Sequence, residues 1–495
     1  MAKEIELKLA LPESAQRAFL RHAQLKSATA RQTAQVVSIY YDTPDLALKK
    51  SGVAVRLRRQ GRTWLQTVKC AGSSAGGLSD RPEWETPYGD HFDFSAVDDS
   101  DVRARLEKRS VLSRLTPLFE TSFRRTTWNF GNMLLMFDRG WIAAAGRREA
   151  ISELEFELAG GEVGDLFALA EALAERLPLL PAPLSKAERG IRLHLNAAPS
   201  PTRADRIPLT PEMSPQAAFR AVALSCLDQM QRNHAGAVSS EDPEYIHQMR
   251  VATRRLRACL RLFAPVLPPG HGDALLPALH EMMAPLGKAR DLDVLLMEIC
   301  APVTAALPEE PRLSALAGIV TEDRHTARRN AVRALESRNF GQLMIRYAAL
   351  LHAPIPAVPD TPQSVGEFAD SRLRNLRRKV HARARAARLD DPASLHALRI
   401  GIKRLRYALE FFATLARGKS RRRLAEWLAE AQGTLGELND LANAGSLLMT
   451  CAGHDERLRE AVTLIGGWHG PRHARLMARL PKLLEALLAL SHSHR

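Results

Sequence analysis

The chain opens on "MAKEIELKLAL", in which Ile5, Leu7 and Leu9 alternate with Glu4, Glu6 and Lys8. Successive residues of a strand point to opposite faces, so this stretch predicts a strand with one apolar and one charged face. The same period recurs down the first part of the chain. "VAVRLRRQG" puts Arg56 and Arg58 on one face, "WLQTVK" ends on Lys69, and "RPEWE" aligns Arg81, Glu83 and Glu85. "ISELEFEL" aligns Glu153, Glu155 and Glu157 and sets Ile151, Leu154, Phe156 and Leu158 against them. Past residue 215 the spacing of apolar residues becomes three and four. Leu395, Leu398, Ile402, Leu405, Leu409 and Phe412, for example, form one helical stripe. The two textures predict an α+β, two-domain chain. Its join, "NAAPSPTRADRIPLTPEMSP" (196–215), is rich in Pro and polar residues and reads as a linker. The expected limits are 1–198 for the strand domain, 199–214 for the linker and 215–490 for the helical domain.

The helical part repeats itself. A Pro-rich break, "APIPAVPDTPQ" (353–363), divides it into halves at about 215–352 and 364–490. "IHQMRVATRRLRACLRLF" (246–263) matches "LHALRIGIKRLRYALEFF" (395–412) at His, Arg, Leu and Phe positions with a constant offset, 396 − 247 = 149. The same offset, 440 − 291 = 149, carries "LGKARDLD" onto "LGELNDLA". A period this long indicates a duplicated module and not a solenoid. In each half a basic stripe lies one residue, about 100° of helical rotation, from the apolar stripe. His247, Arg250, Arg254 and Arg257 form it in the first half, and His396, Arg399, Lys403 and Arg406 in the second. Such a stripe borders the core and is expected at a groove edge or between helices.

Charge sharpens this picture. The net charge is +15. Residues 1–205 hold 29 basic against 26 acidic residues, and 206–495 hold 41 against 29, so +12 of the total sits in the second part. That balance favours a polyanionic partner. Cys70, Cys226, Cys259, Cys300 and Cys451 are scattered without Cys/His ligand spacing, which points to reduced thiols and away from a disulfide scaffold or zinc site. His247 and His396 lack a second His or Cys at metal-ligand spacing, so phosphate hydrogen bonding or a structural role is the better reading of both. The N-terminus carries no apolar signal stretch, and no run nears the roughly 20 apolar residues of a membrane helix. The expectation is a cytoplasmic protein with no membrane partner.

Strands that present same-face charge of both signs suit a sheet closed into a barrel with a polar lumen. Basic side chains there bind phosphate oxygens, and carboxylates hold a hard divalent cation that bridges phosphates. The ordered set "ExExK", "RxR", a strand-ending Lys, "RPEWE", "DRG", an ExE strand and "SKAERG" (185–190) resembles the CYTH, or triphosphate tunnel metalloenzyme, superfamily over about residues 1–195. The resemblance implies an antiparallel β-barrel with a triphosphate tunnel and a requirement for Mg²⁺ or Mn²⁺. It places Glu4, Glu6, Asp138, Glu153 and Glu155 as metal-binding carboxylates, with Glu157 an alternative to Glu153. It places Lys8, Arg56, Arg58, Lys69, Arg81, Arg125 and Lys186 on the triphosphate, and Glu83 and Glu85 in the tunnel. Arg124 and Arg125 are adjacent, so only one of them faces inward. Cyclases of this superfamily carry a His-Phe element before ExExK, and this chain has Met-Ala-Lys there.

The repeated HxxRxxxxRLR and LGxxxD segments resemble the CHAD domain, an all-α fold of two helical halves whose basic surface is implicated in binding inorganic polyphosphate. Asn439 and Lys403 depart from Arg290 and Arg254 of the first half. Together the resemblances imply an inorganic triphosphatase that cuts tripolyphosphate to pyrophosphate and phosphate. The alternatives are a polyphosphate-binding scaffold with an inactive barrel, or hydrolysis of thiamine triphosphate or nucleoside triphosphates. Nucleic acid is a poor fit to the basic stripes, where Tyr407 is the one interleaved aromatic and stacking platforms are scarce.

Overall fold

The computed structural model describes residues 2–70, 72–359, 361–362, 364–415 and 419–489. The expected domain limits at 1 and 490 fall just outside them. The chain forms two compact units.

The first unit is built on ten antiparallel strands: β1 (Ala2–Ala10), β2 (Ala30–Asp42), β3 (Val53–Gln60), β4 (Thr63–Cys70), β5 (Ser73–Ala75), β6 (Leu78–Pro87), β7 (Thr116–Asn129), β8 (Met133–Ala144), β9 (Arg147–Leu158) and β10 (Leu180–Pro181). Eight of them run in the order β1-β9-β8-β7-β2-β3-β4-β6, and pairing of β6 with β1 closes the ring into a barrel. Closure leaves those strands without free edges. On β1, Leu7 and Leu9 are fully buried on the outer face, where helix Val163–Ala174 packs with Leu166, Phe167, Ala170 and Leu173.

One end of the barrel is plugged. Tyr40, Phe119, Phe123, Ile142, Ala144 and Ile151 form an apolar cluster against Ala187, Ile191 and Leu193 of helix Lys186–His194. Ile151 therefore lies on the inner face with Glu153, not with Leu154 and Phe156 as expected. The alternation is unbroken, and the inner face itself turns apolar at the plug. "SKAERG" encodes the plug's approach. Ser185 and Glu188 form a reciprocal cap that starts the helix. Gly190 lets it sit on Phe119, since a Cβ there would lie 2.1 Å from the ring.

Helix Arg338–His352, at the end of the first helical half in sequence, groups with the barrel. It packs on helix Val163–Ala174, with Gln342 donating to the Ala174 carbonyl at 2.8 Å and His352 stacked on Phe167.

The second unit is helical, and the duplication is visible in its atoms. Asp242 caps helix Pro243–Phe263 and Asp391 caps helix Pro392–Phe411, each followed by Pro in the first turn. Phe219 and Phe368, and Phe263 and Phe412, keep the 149-residue offset and meet in one ring cluster; Phe263 lies 5.1 Å from Phe368 and 5.8 Å from Phe412. The join is anchored to this unit. Thr414 donates to the Ile207 carbonyl at 3.0 Å and accepts from the Leu209 amide at 3.1 Å. Among the described residues, no helix is long and apolar enough to cross a membrane.

Candidate active site

Strand alternation turns the charged face of each barrel strand into the lumen. Carboxylates gather on three successive strands: Glu4 and Glu6 on β1, Glu153, Glu155 and Glu157 on β9, and Asp138 on β8. Most cations face them from Arg125 on β7, Arg56 and Arg58 on β3, Lys69 on β4 and Arg81 on β6. Register choices left open by the sequence are settled here. Arg124 is exposed, whereas Arg125 reaches inward to Asp138, and all three glutamates of β9 share the inner face.

Without ligand, the lumen neutralises itself. Lys186, from the first turn of the plug helix, lies 2.7 Å from Asp138 and 2.9 Å from Glu155, and also pairs with Glu153. Arg125 pairs with Asp138 at 2.7 Å and with Glu155. Lys8 sits between Glu155 at 3.3 Å and Glu6 at 3.6 Å. Along the neighbouring strands β3, β4, β6 and β1, Lys69 lies 2.6 Å from Glu4 and 2.7 Å from Glu83, and Arg56 lies 3.3 Å from Glu83. Arg81 pairs with Glu6 and reaches Glu4 at 3.6 Å, and Glu85 accepts from Thr67 at 3.0 Å.

These contacts set the protonation states. Burial alone would raise the Glu155 carboxyl, but Lys186, then Lys8 and Arg125, hold it well below the usual range. Lys186 is pushed the other way: burial disfavours its charge, and Asp138, Glu153 and Glu155 more than restore it. Glu157 goes the opposite way to Glu155. Burial, and next the charge of Glu4, raise its pKa, and it makes no ion pair among the described residues. Arg58 is the exception among the bases. Burial, then Arg56 and Arg125, push it down to about 10, and it too lacks an ion pair among the described residues.

One oxygen each from Asp138, Glu153 and Glu155 lie within 4.8 Å of one another. An all-carboxylate donor set suits a hard divalent cation, and Lys186 already pairs as a cation with the same three carboxylates. Glu4 and Glu6 are not part of that group in this arrangement, being held by Lys69 and Arg81.

In the helical unit, helix Pro243–Phe263 packs against helix Pro392–Phe411, which brings the charge of Arg254 to bear on Lys403. Burial first, then Arg399 and Arg254, push the Lys403 ammonium down to about 8, so cations of both halves act on one point. Arg250 donates to Asp291 at 3.3 Å and Arg399 to Asn439 at 3.2 Å. Asp291 is raised by burial and, among its neighbours, by Asp440 of the other half. Arg257 and Arg406 continue their stripes half-buried. His247 is half-buried and held below the ordinary imidazole range by burial and then Arg290, while His396 is exposed. Arg255 and Arg404 hold matching positions of the two halves, 404 − 255 = 149, yet they part company. Arg255 is 1% exposed, lies 2.9 Å from Glu410 and donates to Gln229 at 2.8 Å, whereas Arg404 faces solvent.

Residues 2–191 match the CYTH domain family and residues 221–449 the CHAD domain family. An inorganic triphosphatase of Haemophilus influenzae is 31% identical over 198 residues, which cover 39% of this chain and 55% of that protein. The chain thus spans about half the length of that curated relative. The crystal structure of the CHAD domain from the plant Ricinus communis is 34% identical, covers 60% of this chain and 98% of its own, and superposes with a TM-score of 0.51. The paired-charge barrel and the duplicated helical fold agree with these matches, and the chain belongs to the proteins in which a CYTH domain is followed by a CHAD domain.

Proposed function

We propose that this protein is a cytoplasmic, metal-dependent inorganic triphosphatase that hydrolyses tripolyphosphate to pyrophosphate and phosphate, and that its helical unit binds inorganic polyphosphate. The observation that carries the reading is the lumen itself, where carboxylates concentrated on three adjacent strands meet guanidinium and ammonium groups from the rest of the ring. The Haemophilus relative, named an inorganic triphosphatase, supports it.

Arg56, Arg58, Lys69, Arg81 and Arg125 take the phosphate oxygens, exchanging internal carboxylate partners for substrate ones. Asp138, Glu153 and Glu155 would hold Mg²⁺ or Mn²⁺, which when bound supplies neutralisation of phosphate charge and activation of water. Glu4 and Glu6, released as Lys69 and Arg81 turn to phosphate, add carboxylates to that side. Phosphoryl transfer of this kind needs positioning and charge more than covalent chemistry. An inorganic substrate is favoured over thiamine or nucleoside triphosphates because Tyr40, Phe119 and Phe123, the aromatic rings at the inner end, are committed to the plug.

Phosphate release from tripolyphosphate, compared with ATP and thiamine triphosphate, tests this directly. Fast release with Mg²⁺ or Mn²⁺ that chelator stops, and that Glu4→Ala or Glu6→Ala abolishes in a folded protein, is the expected result. Full activity in either variant removes the metal role assigned to these residues.

For the helical unit, Lys403 gives a signed pH dependence. Its lowered pKa means that it loses its proton as pH rises through about 8. Binding of labelled polyphosphate should weaken about tenfold between pH 7 and 9 as that charge disappears. Lys403→Met should bind more weakly at pH 7 and show a flat profile in that window. A wild-type profile in the variant would place Lys403 outside the site. Displacement of labelled DNA by polyphosphate at far lower phosphate concentration is expected, and its failure would favour nucleic acid as partner.

A further inference from the structure

Three neighbouring strands carry a row of polar groups that the charge pairing does not use. Thr121 of β7 stands opposite Ser38 of β2, and Ser38 stands opposite Arg58 of β3. All three share the inner face with Arg125, Tyr40 and Arg56, two or four residues away on the same strands. Ser38 is 1% exposed and Thr121 0%. The Ser38 Oγ, Thr121 Oγ1 and Arg58 Nε atoms have no hydrogen-bond partner among the described residues. Beside the row, the Tyr40 hydroxyl lies 3.4 Å from Arg56 Nη1, and its ring stacks on Phe119 of the plug at 4.5 Å. Burial would raise that phenol, but Arg56, Arg58 and Lys69 pull it below its ordinary value.

Leaving a buried hydroxyl unpaired is costly, and such groups call for an explanation. Here two orphan hydroxyls sit on adjacent strands next to a guanidinium without a carboxylate. The row offers N–H and O–H donors and no anionic acceptor. A metal ion would be repelled. A tetrahedral oxyanion, with acceptors in several directions, would satisfy the orphan donors at once.

We propose that Ser38, Thr121, Tyr40 and Arg58 form a subsite at the plugged end of the lumen that holds the terminal phosphoryl group of the substrate by direct hydrogen bonds. That the group belongs to a phosphate chain rests on the triphosphatase reading, whereas the oxyanion chemistry of the row does not.

The test is calorimetric titration of the full chain with tripolyphosphate and with orthophosphate, in chelator so that no turnover occurs. Ser38→Ala, Thr121→Val and Tyr40→Phe are compared with wild type, alongside the melting temperature of each ligand-free protein. The expected result is an affinity for tripolyphosphate about tenfold weaker in each variant. Ligand-free Thr121→Val should melt higher than wild type, because a methyl replaces an unpaired buried hydroxyl. A merely structural hydroxyl would give the opposite shift. Unchanged tripolyphosphate affinity in Ser38→Ala and Thr121→Val, or a lower melting temperature in Thr121→Val, overturns the proposal. Weakening for orthophosphate alone overturns it as well, since the row would then hold a released product. If the wild type hydrolyses no triphosphate yet the variants still lose tripolyphosphate affinity, the triphosphatase reading fails and the subsite stands.

Discussion

Glu155→Gln should lower kcat for tripolyphosphate about a thousandfold, with KM unchanged or reduced, in phosphate-release assays at saturating Mg²⁺ or Mn²⁺. Glu155 is where the two halves of the lumen meet. Its carboxylate touches Lys186, Lys8 and Arg125, and one of its oxygens belongs to the three-carboxylate group with Asp138 and Glu153. The amide keeps the shape of the side chain and removes its charge. Substrate binding gains from one fewer anion in the lumen, so the loss appears in kcat. This split separates a role in the reaction from a role in binding, because interactions made only in the transition state change kcat. Activity within tenfold of wild type would show that Asp138 and Glu153 suffice, and would move the reacting centre towards Glu4 and Glu6.

Much of this site can be read in the sequence because strand alternation converts sequence directly into facing. Glu4, Glu6 and Lys8, Arg56 and Arg58, and Glu153 and Glu155 all point inward as their spacing requires. Alternation does not say where an inner face stops being polar. Ile151 and Tyr40 sit in phase with charged residues but belong to the plug, because helix Lys186–His194 closes on that end. Nor does it separate Arg124 from Arg125, since a shift of one residue exchanges faces and only the pairing with β8 fixes the register. Ser38 and Thr121 are not legible as site residues, because a hydroxyl on a strand is commonplace and their burial depends on closure between β6 and β1, strands distant in sequence. In the helical part, the repeat was legible from arginines and the LGxxxD segments. The matching Phe219 and Phe368 lie outside the compared segments and show themselves only as ring contacts. The grouping of residues 336–354 with the barrel was not legible, because an amphipathic helix does not name the surface that covers it.

The second large effect is on stability. Lys186→Met should destabilise the protein by about 3–5 kcal/mol near neutral pH, because removing one partner of a buried ion pair strands the other's charge. Lys186 is 6% exposed and serves three carboxylates, of which Asp138 is fully buried and Glu153 2% exposed. The variant should also acquire a pH dependence that the wild type lacks near neutrality. In the wild type, Glu155 has a folded pKa well below its ordinary value, so its contribution is present above the ordinary carboxylate range and is lost as pH falls from that range down through the lower folded value. Lys186 is raised, so its contribution holds throughout the acid and neutral range and is lost only as pH climbs through the raised value. Without the ammonium, Glu155 loses the strongest charge that holds it down, and burial reasserts itself. Folding then favours the protonated acid, and the variant should gain stability between pH 8 and 5, where the wild type stays level. Millimolar Mg²⁺ should restore part of the loss at pH 8, since a dication can take the place of the ammonium among the same carboxylates. Thermal melts across that pH range, with and without Mg²⁺, decide the matter. If the variant is as stable as wild type and indifferent to both pH and Mg²⁺, then Lys186 is not what neutralises the three carboxylates, and the cation-holding role assigned to them falls with it.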